Sequence, residues 1–233
     1  MNAADAHVAR AISPARLAPY LAVTSDKTSD AIRLYQWNIE LSAAVYEVLH
    51  FLEVALRNAI DRELCVWNAN QIERSTGEHR GRDWLMDPAP LLRRLARSKD
   101  VEEAKRRAAI AARRRQGPRR GVPVEHADVL ANLSFGTWRH LLPDKDPGRQ
   151  LLWDEALSRA FPSWSRTGAD VTYATDRVML LRNRVAHLEP LLNTNNVEAQ
   201  LTNARLILDG IHPALAQWAM GWQRITYLVR ARP

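Results

Sequence analysis

The stretch "SDAIRLYQWNIELSAAVYEVLHFLEVALRNAIDREL", residues 29–64, decides the fold. Its Leu41, Val45, Leu49, Leu52, Leu56 and Ala59 recur at spacings of three and four, which places them on one face of a helix. Upstream, "SPARLAPYL" offers Ser13 as an N-cap and Pro14 at the first helical position. Downstream, residues 68–87 turn polar and read as a loop. Another helix is expected from near Pro88, ending by "QGPRRGVP". Helical segments follow in "PVEHADVLANLSFGTWRHLLP", "RQLLWDEALSRAF" and "NVEAQLTNARLILDGI", and Pro213 restarts a last helix through "HPALAQWAM". Clear β-alternation with hairpin turns is missing, so the expected fold is all-α. One domain over residues 1–233 is expected, with 68–122 as a variable loop and basic-helix insertion.

Composition limits the function. The 233 residues are 46% hydrophobic, which suits a packed core. The single cysteine, Cys65, excludes an intrachain disulfide and a cysteine-rich zinc site, and fits a reducing, cytoplasmic setting. The N-terminal residues lack the apolar core of a signal peptide, and no apolar run approaches the ~20 residues that span a bilayer. A net charge of +7 and a pI of about 10.1 favour a polyanionic partner, nucleic acid ahead of an acidic membrane. Glycine-rich phosphate loops are missing, and neither a cofactor nor a metal is expected.

The candidate site lies in "MLLRNRVAHLEPLL", Met179 to Leu192. An arginine followed after five or six residues by a histidine also occurs at Arg74/His79 and Arg120/His126, so the spacing alone says little. Arg182/His187 differs in sitting within one continuous helical pattern. Val171, Ala174, Val178, Leu181, Val185 and Leu188 form its apolar stripe. Arg182 falls at the stripe's edge, while Asn183 and His187 lie nearly opposite, on a row with Asp176 and Leu180. Pro190 should end the helix near Glu189. The helix dipole and Glu189 would then favour imidazolium at His187 and Arg182 would oppose it, which suits proton exchange near neutral pH. "ALRNAIDR", residues 55–62, echoes the motif without its histidine, and Arg57 reads first as an i,i+4 partner of Glu53.

"LLRNRVAHLEP" resembles the signature of HEPN domains, in particular the Abi-like (abortive infection) branch. "LYQWNIELSAAVYEVLHFLEVALRNAIDREL" and "VLANLSFGTWRHLL" are similar to other helices of that branch, and together the likeness covers about half the chain. Many Abi-like members carry a second histidine directly after the first, where this chain has Leu188. The resemblance implies a HEPN-like helical bundle and a metal-independent endoribonuclease of antiphage defence. His187 would do acid–base work, Arg182 would stabilise phosphate charge, and Asn183 would orient one or the other. It also implies a homodimer with converging motifs, and a neutralising antitoxin or defence partner.

The basic segment "AKRRAAIAARRRQGPRR" supplies Arg106, Arg107, Arg113, Arg114, Arg115, Arg119 and Arg120 as candidate RNA-backbone contacts. A solvated alanine-rich helix explains the same charges equally well. The eight tryptophans, including Trp138, Trp153 and Trp164, are expected in the core rather than as base-stacking platforms. Two other functions remain open. One is a non-catalytic HEPN module that binds nucleotide or RNA and acts through a partner. The other is an unrelated basic helical DNA-binding protein.

Overall fold

The computed structural model describes residues 3–233, with Pro118 described by its backbone alone. It is 70% helical, with twelve α-helices and no strand among the described residues. The chain opens with α1 (Ala3–Ile12) and α2 (Pro14–Leu21), the latter capped by the Ser13 hydroxyl, which accepts the Arg16 N–H. The long pattern becomes one 42-residue helix, α3 (Thr28–Ala69), roughly 60 Å from end to end. All six residues of its apolar stripe are buried.

Two helices complete the centre. The first, α9 (Gly168–Ala186), and the second, α10 (Thr194–Ile211), pack on each other and on α3. Around them lie α7 (Phe135–Leu141), α8 (Pro147–Glu155), α11 (Pro213–Trp222) and α12 (Ile225–Arg230). Trp37 of α3 donates its indole N–H to the Leu228 carbonyl at 2.7 Å, which fixes α12 against α3. Trp138 is fully buried, and Trp153 and Trp164 pack partly buried against the core, as expected.

The polar stretch after α3 is an ordered loop. Asn68 is fully buried and satisfied on both sides of its amide. It donates to the carbonyls of Gly81 and Asp87 at 2.8 and 3.0 Å and accepts the Ala89 N–H at 2.8 Å. The loop folds Trp84 into the core. The basic insertion continues as α4 (Pro90–Leu95) and α5 (Ser98–Arg113), and α6 (His126–Leu130) follows it.

The motif helix ends earlier than the sequence implies. Thr167 and Asp170 form a capping box at its start. At its other end His187 is the cap and Leu188 takes a left-handed conformation, φ 58°. The Glu189 N–H bonds the Arg184 carbonyl and the Leu188 N–H bonds that of Val185, a Schellman termination three residues before Pro190 would demand one. Val171, Ala174, Val178, Leu181 and Val185 are buried as expected, but Leu188 has left the helix and is 70% exposed. The segment beyond is held from four directions. Arg16 donates to the Leu188 carbonyl, Arg184 to that of Pro190 and Arg232 to that of Leu192, while the buried Asn38 accepts the Leu191 N–H at 2.6 Å.

Leu188 occupies a position that favours glycine and contributes little packing within the chain. A left-handed non-glycine residue costs about 1–2 kcal/mol, partly offset by the freedom glycine adds to the unfolded chain. Leu188→Gly should therefore stabilise the protein by up to about 1 kcal/mol, a rise of roughly 2–4 °C in Tm, read by thermal denaturation.

Candidate active site

α9 sends the three motif residues in different directions. Arg182 is half-buried on the side that meets α3. There its charge acts on Glu53 more strongly than that of Arg57 or His50. Burial raises the pKa of Glu53, and those three cationic or ionisable neighbours pull it back. Glu53 thus feels the charge of Arg57 on its own helix and of Arg182 across the packing seam, without an ion pair to either among the described residues. The i,i+4 ion pair expected between Arg57 and Glu53 is not formed: Arg57 Nε donates to Asn58 Oδ1 at 3.3 Å, and His50, Arg57 and Arg182 act on Glu53 only through space. Nothing in the sequence marks His50 or Glu53 as a site residue.

Asn183 lies on another side. With Arg177, Leu180, Arg184, Glu189 and Gln200 it lines a cleft of about 360 Å³ between α9 and α10. His187 is exposed at the helix end, and its side chain makes no hydrogen bond or ion pair with any described residue. Neither Arg182 nor His187 lines the Asn183 cleft. Asp176, expected on the free row, is instead gripped by Arg139 of α7 through both carboxylate oxygens. The unoccupied part of that row is Leu180, 50% exposed, together with Asn183 and His187.

His50 also belongs to an aromatic groove of about 590 Å³ with Tyr46, Phe51, Val54, Trp218 and Trp222. Trp218 is 58% exposed, against the expectation that all eight tryptophans lie in the core. Its ring lies 4.7 Å from Phe51 and 5.4 Å from Trp222, centroid to centroid.

The seven arginines of the basic insertion divide into three groups. Arg106 and Arg107 share the exposed carboxylate of Glu103. Such exposed pairs contribute little and are easily exchanged for a phosphate. Arg115 is largely buried against Asp128 and Arg119 reaches Asp128 and Glu125, so these two hold the segment to α6. Arg113, Arg114 and Arg120 have no side-chain partner among the described residues and line a shallow basin with Arg115 and Gly117.

A further group was not foreseen. Asp61 and Cys65, one turn apart on α3, meet His126 at the start of α6. His126 Nε2 is 2.8 Å from Asp61 Oδ1, and its Nδ1 is 2.7 Å from Asp83 Oδ1. The Asp61 hydrogen bond, then Cys65, and less strongly Asp83 push the His126 pKa up to about 11 against the effect of burial. Sixty-one residues separate Cys65 from His126, so only the fold joins them.

No family model, no curated protein and no solved structure matches the chain. Among the described residues, no helix is long and apolar enough to cross a membrane.

The division of the arginines is testable. Arg113→Gln, Arg114→Gln and Arg120→Gln together should weaken RNA binding and flatten its salt dependence by roughly 0.7 in log–log slope for each lost single-strand contact. Arg115→Gln should instead lower thermal stability, because it strips Asp128 of its least exposed partner. Salt titrations of binding and melting curves separate the two effects.

Proposed function

We propose that the chain is a metal-independent endoribonuclease of the HEPN type, an Abi-like effector of abortive infection that works as a homodimer. The observation that carries this reading is His187, exposed and unpartnered at the end of the helix that also bears Arg182 and Asn183. RNA brings its own nucleophile. A base takes the 2′-hydroxyl proton, the 2′-oxygen bonds to phosphorus, the P–O5′ bond breaks, and the 5′-oxygen leaves with a proton from an acid. His187 supplies one of the two proton-transfer groups. Arg182 is a guanidinium for the charge that develops on the phosphorane. Asn183 orients the histidine or the RNA.

One histidine per chain leaves the acid–base pair half complete, and a two-fold axis supplies the second copy. The exposed Leu180 and Leu188 leave apolar surface beside the motif for that mate. The unpaired Arg113, Arg114 and Arg120 offer the RNA backbone a track. A second reading, a non-catalytic HEPN module that binds RNA or nucleotide, is favoured by one observation. The Asn183 cleft contains neither Arg182 nor His187.

The experiment is cleavage of total cellular RNA by the purified protein. His187→Ala and Arg182→Ala should each lower cleavage by about 10²-fold or more while circular dichroism shows unchanged helix content. Products should carry 2′,3′-cyclic phosphate ends. Cleavage at the wild-type rate by either folded variant would remove His187 and Arg182 from the site, 5′-phosphate ends would overturn attack by the 2′-hydroxyl, and RNA binding without cleavage would establish the second reading.

The dimer has its own test. Leu180→Arg places like charges against each other across the axis, so it should split the dimer and lower cleavage together. Light scattering and activity measured over a range of concentrations decide it, and a monomer with concentration-independent specific activity rules the paired site out.

A further inference from the structure

We propose that Asp61, Cys65 and His126 form a zinc site that pins the basic insertion to α3. The three donor atoms are of different kinds and all lie within 4.8 Å of one another. Asp61 Oδ1 lies 2.8 Å from His126 Nε2 and 3.9 Å from Cys65 Sγ, and Cys65 Sγ lies 4.0 Å from His126 Nε2. A triangle of that size accommodates an ion at the roughly 2.0–2.3 Å that zinc keeps from nitrogen, carboxylate oxygen and thiolate sulfur. Asp61 and Cys65 stand at i and i+4 on a rigid helix, so their side chains are presented from one face.

The surroundings are those of a built ligand set. His126 Nδ1 is held by Asp83 at 2.7 Å, the carboxylate–histidine arrangement that fixes the ring and directs Nε2 at a metal. Trp84, itself buried, donates its indole N–H to Asp61 Oδ1 at 2.8 Å. Both partners come from the loop that follows α3. The carboxylate and sulfur preceding the insertion, the loop, and the histidine that closes the insertion are thereby tied at one point. Nitrogen, oxygen and sulfur together select zinc over magnesium or calcium, which take oxygen. Binding releases the Nε2 proton and the thiol proton to solvent and leaves a zinc–thiolate, zinc–imidazole and zinc–carboxylate set. Three protein ligands leave a fourth position for water. The assignment does not depend on the ribonuclease reading, because it predicts metal binding and stability rather than cleavage.

The test uses the full chain, stripped with chelator and titrated with Zn²⁺ alone. One equivalent should bind in competition with a chromophoric chelator and raise Tm by about 5 °C at saturation. Co²⁺ in its place should show a thiolate-to-metal charge-transfer band that Cys65→Ser abolishes and His126→Gln weakens strongly. Because Cys65 is the only cysteine, wild-type protein provides a readout that no folding defect can confuse. Zn²⁺ should slow its reaction with a thiol reagent by at least about tenfold, and Mg²⁺ should not. Absence of stoichiometric Zn²⁺ binding, a cobalt spectrum without the thiolate band, or a thiol rate indifferent to Zn²⁺ would each overturn the site.

Discussion

A helix of 42 residues gains little from its own hydrogen bonds in water, because each added residue contributes only slightly beyond the cost of nucleation. α3 persists because fourteen of its apolar side chains, from Ala31 to Trp67, are taken out of water by other helices. A buried leucine or valine contributes about 1.5–3 kcal/mol relative to exposure, so the stripe outweighs any local propensity term. Much of the rest of the fold is placed by what it covers on that helix: α1, α2, α7, α9, α10 and α12 all pack on it. α9 and α10 cover its middle, α12 is drawn in through Trp37, and the loop after Ala69 returns to seat Trp84.

This constraint fixes the chemistry available to α9. One side of α9 is spent on α3 and α10, and Arg182 sits at the edge of that side, where its charge acts on the half-buried Glu53. The same rotation that buries Leu181 and Val185 turns Asn183 toward a different surface and leaves His187 at the open end. A single chain therefore carries the expected residues without gathering them into one cleft. A reaction that uses them together needs a second surface, and Leu180 is the apolar group left available beside them.

The helical class was legible because periodicity depends only on the chain's own spacing. Leu41 through Ala59 and Val171 through Val185 had to be buried whatever packed on them. What was not legible depends on long-range partners or local backbone choice. Leu188 continues the period in sequence, yet the Schellman turn removes it from the helix, and a leucine in a left-handed position carries no sequence signature. The short α1 and α12 escaped notice, as did the break between α4 and α5. Asp176 looked free because Arg139, 37 residues away, is on another helix. Of the candidate site, the identity of the motif residues was readable, and the separation of Arg182 from Asn183 followed from the helical wheel. The neighbours His50 and Glu53 required the packing of α3 on α9.

Charge shows the same division. A net +7 reads as a polyanion-binding signal when it is summed. In the folded chain many of the arginines are structural. Arg16, Arg184 and Arg232 hold carbonyls around the segment after the motif, Arg139 holds Asp176, and Arg115 and Arg119 hold Asp128. An arginine with a buried carboxylate or a backbone oxygen as its partner cannot be given to a phosphate without leaving that partner unsatisfied, which costs about 1–3 kcal/mol. The charges that can be given away are those whose release costs nothing inside the chain. In the basic insertion these are Arg113, Arg114 and Arg120, with Arg106 and Arg107 available at the small expense of an exposed pair. The polyanion surface implied by composition is thus narrower than the sequence suggests. Its position is set by α5 and α6, and so by whatever fastens that insertion to the end of α3.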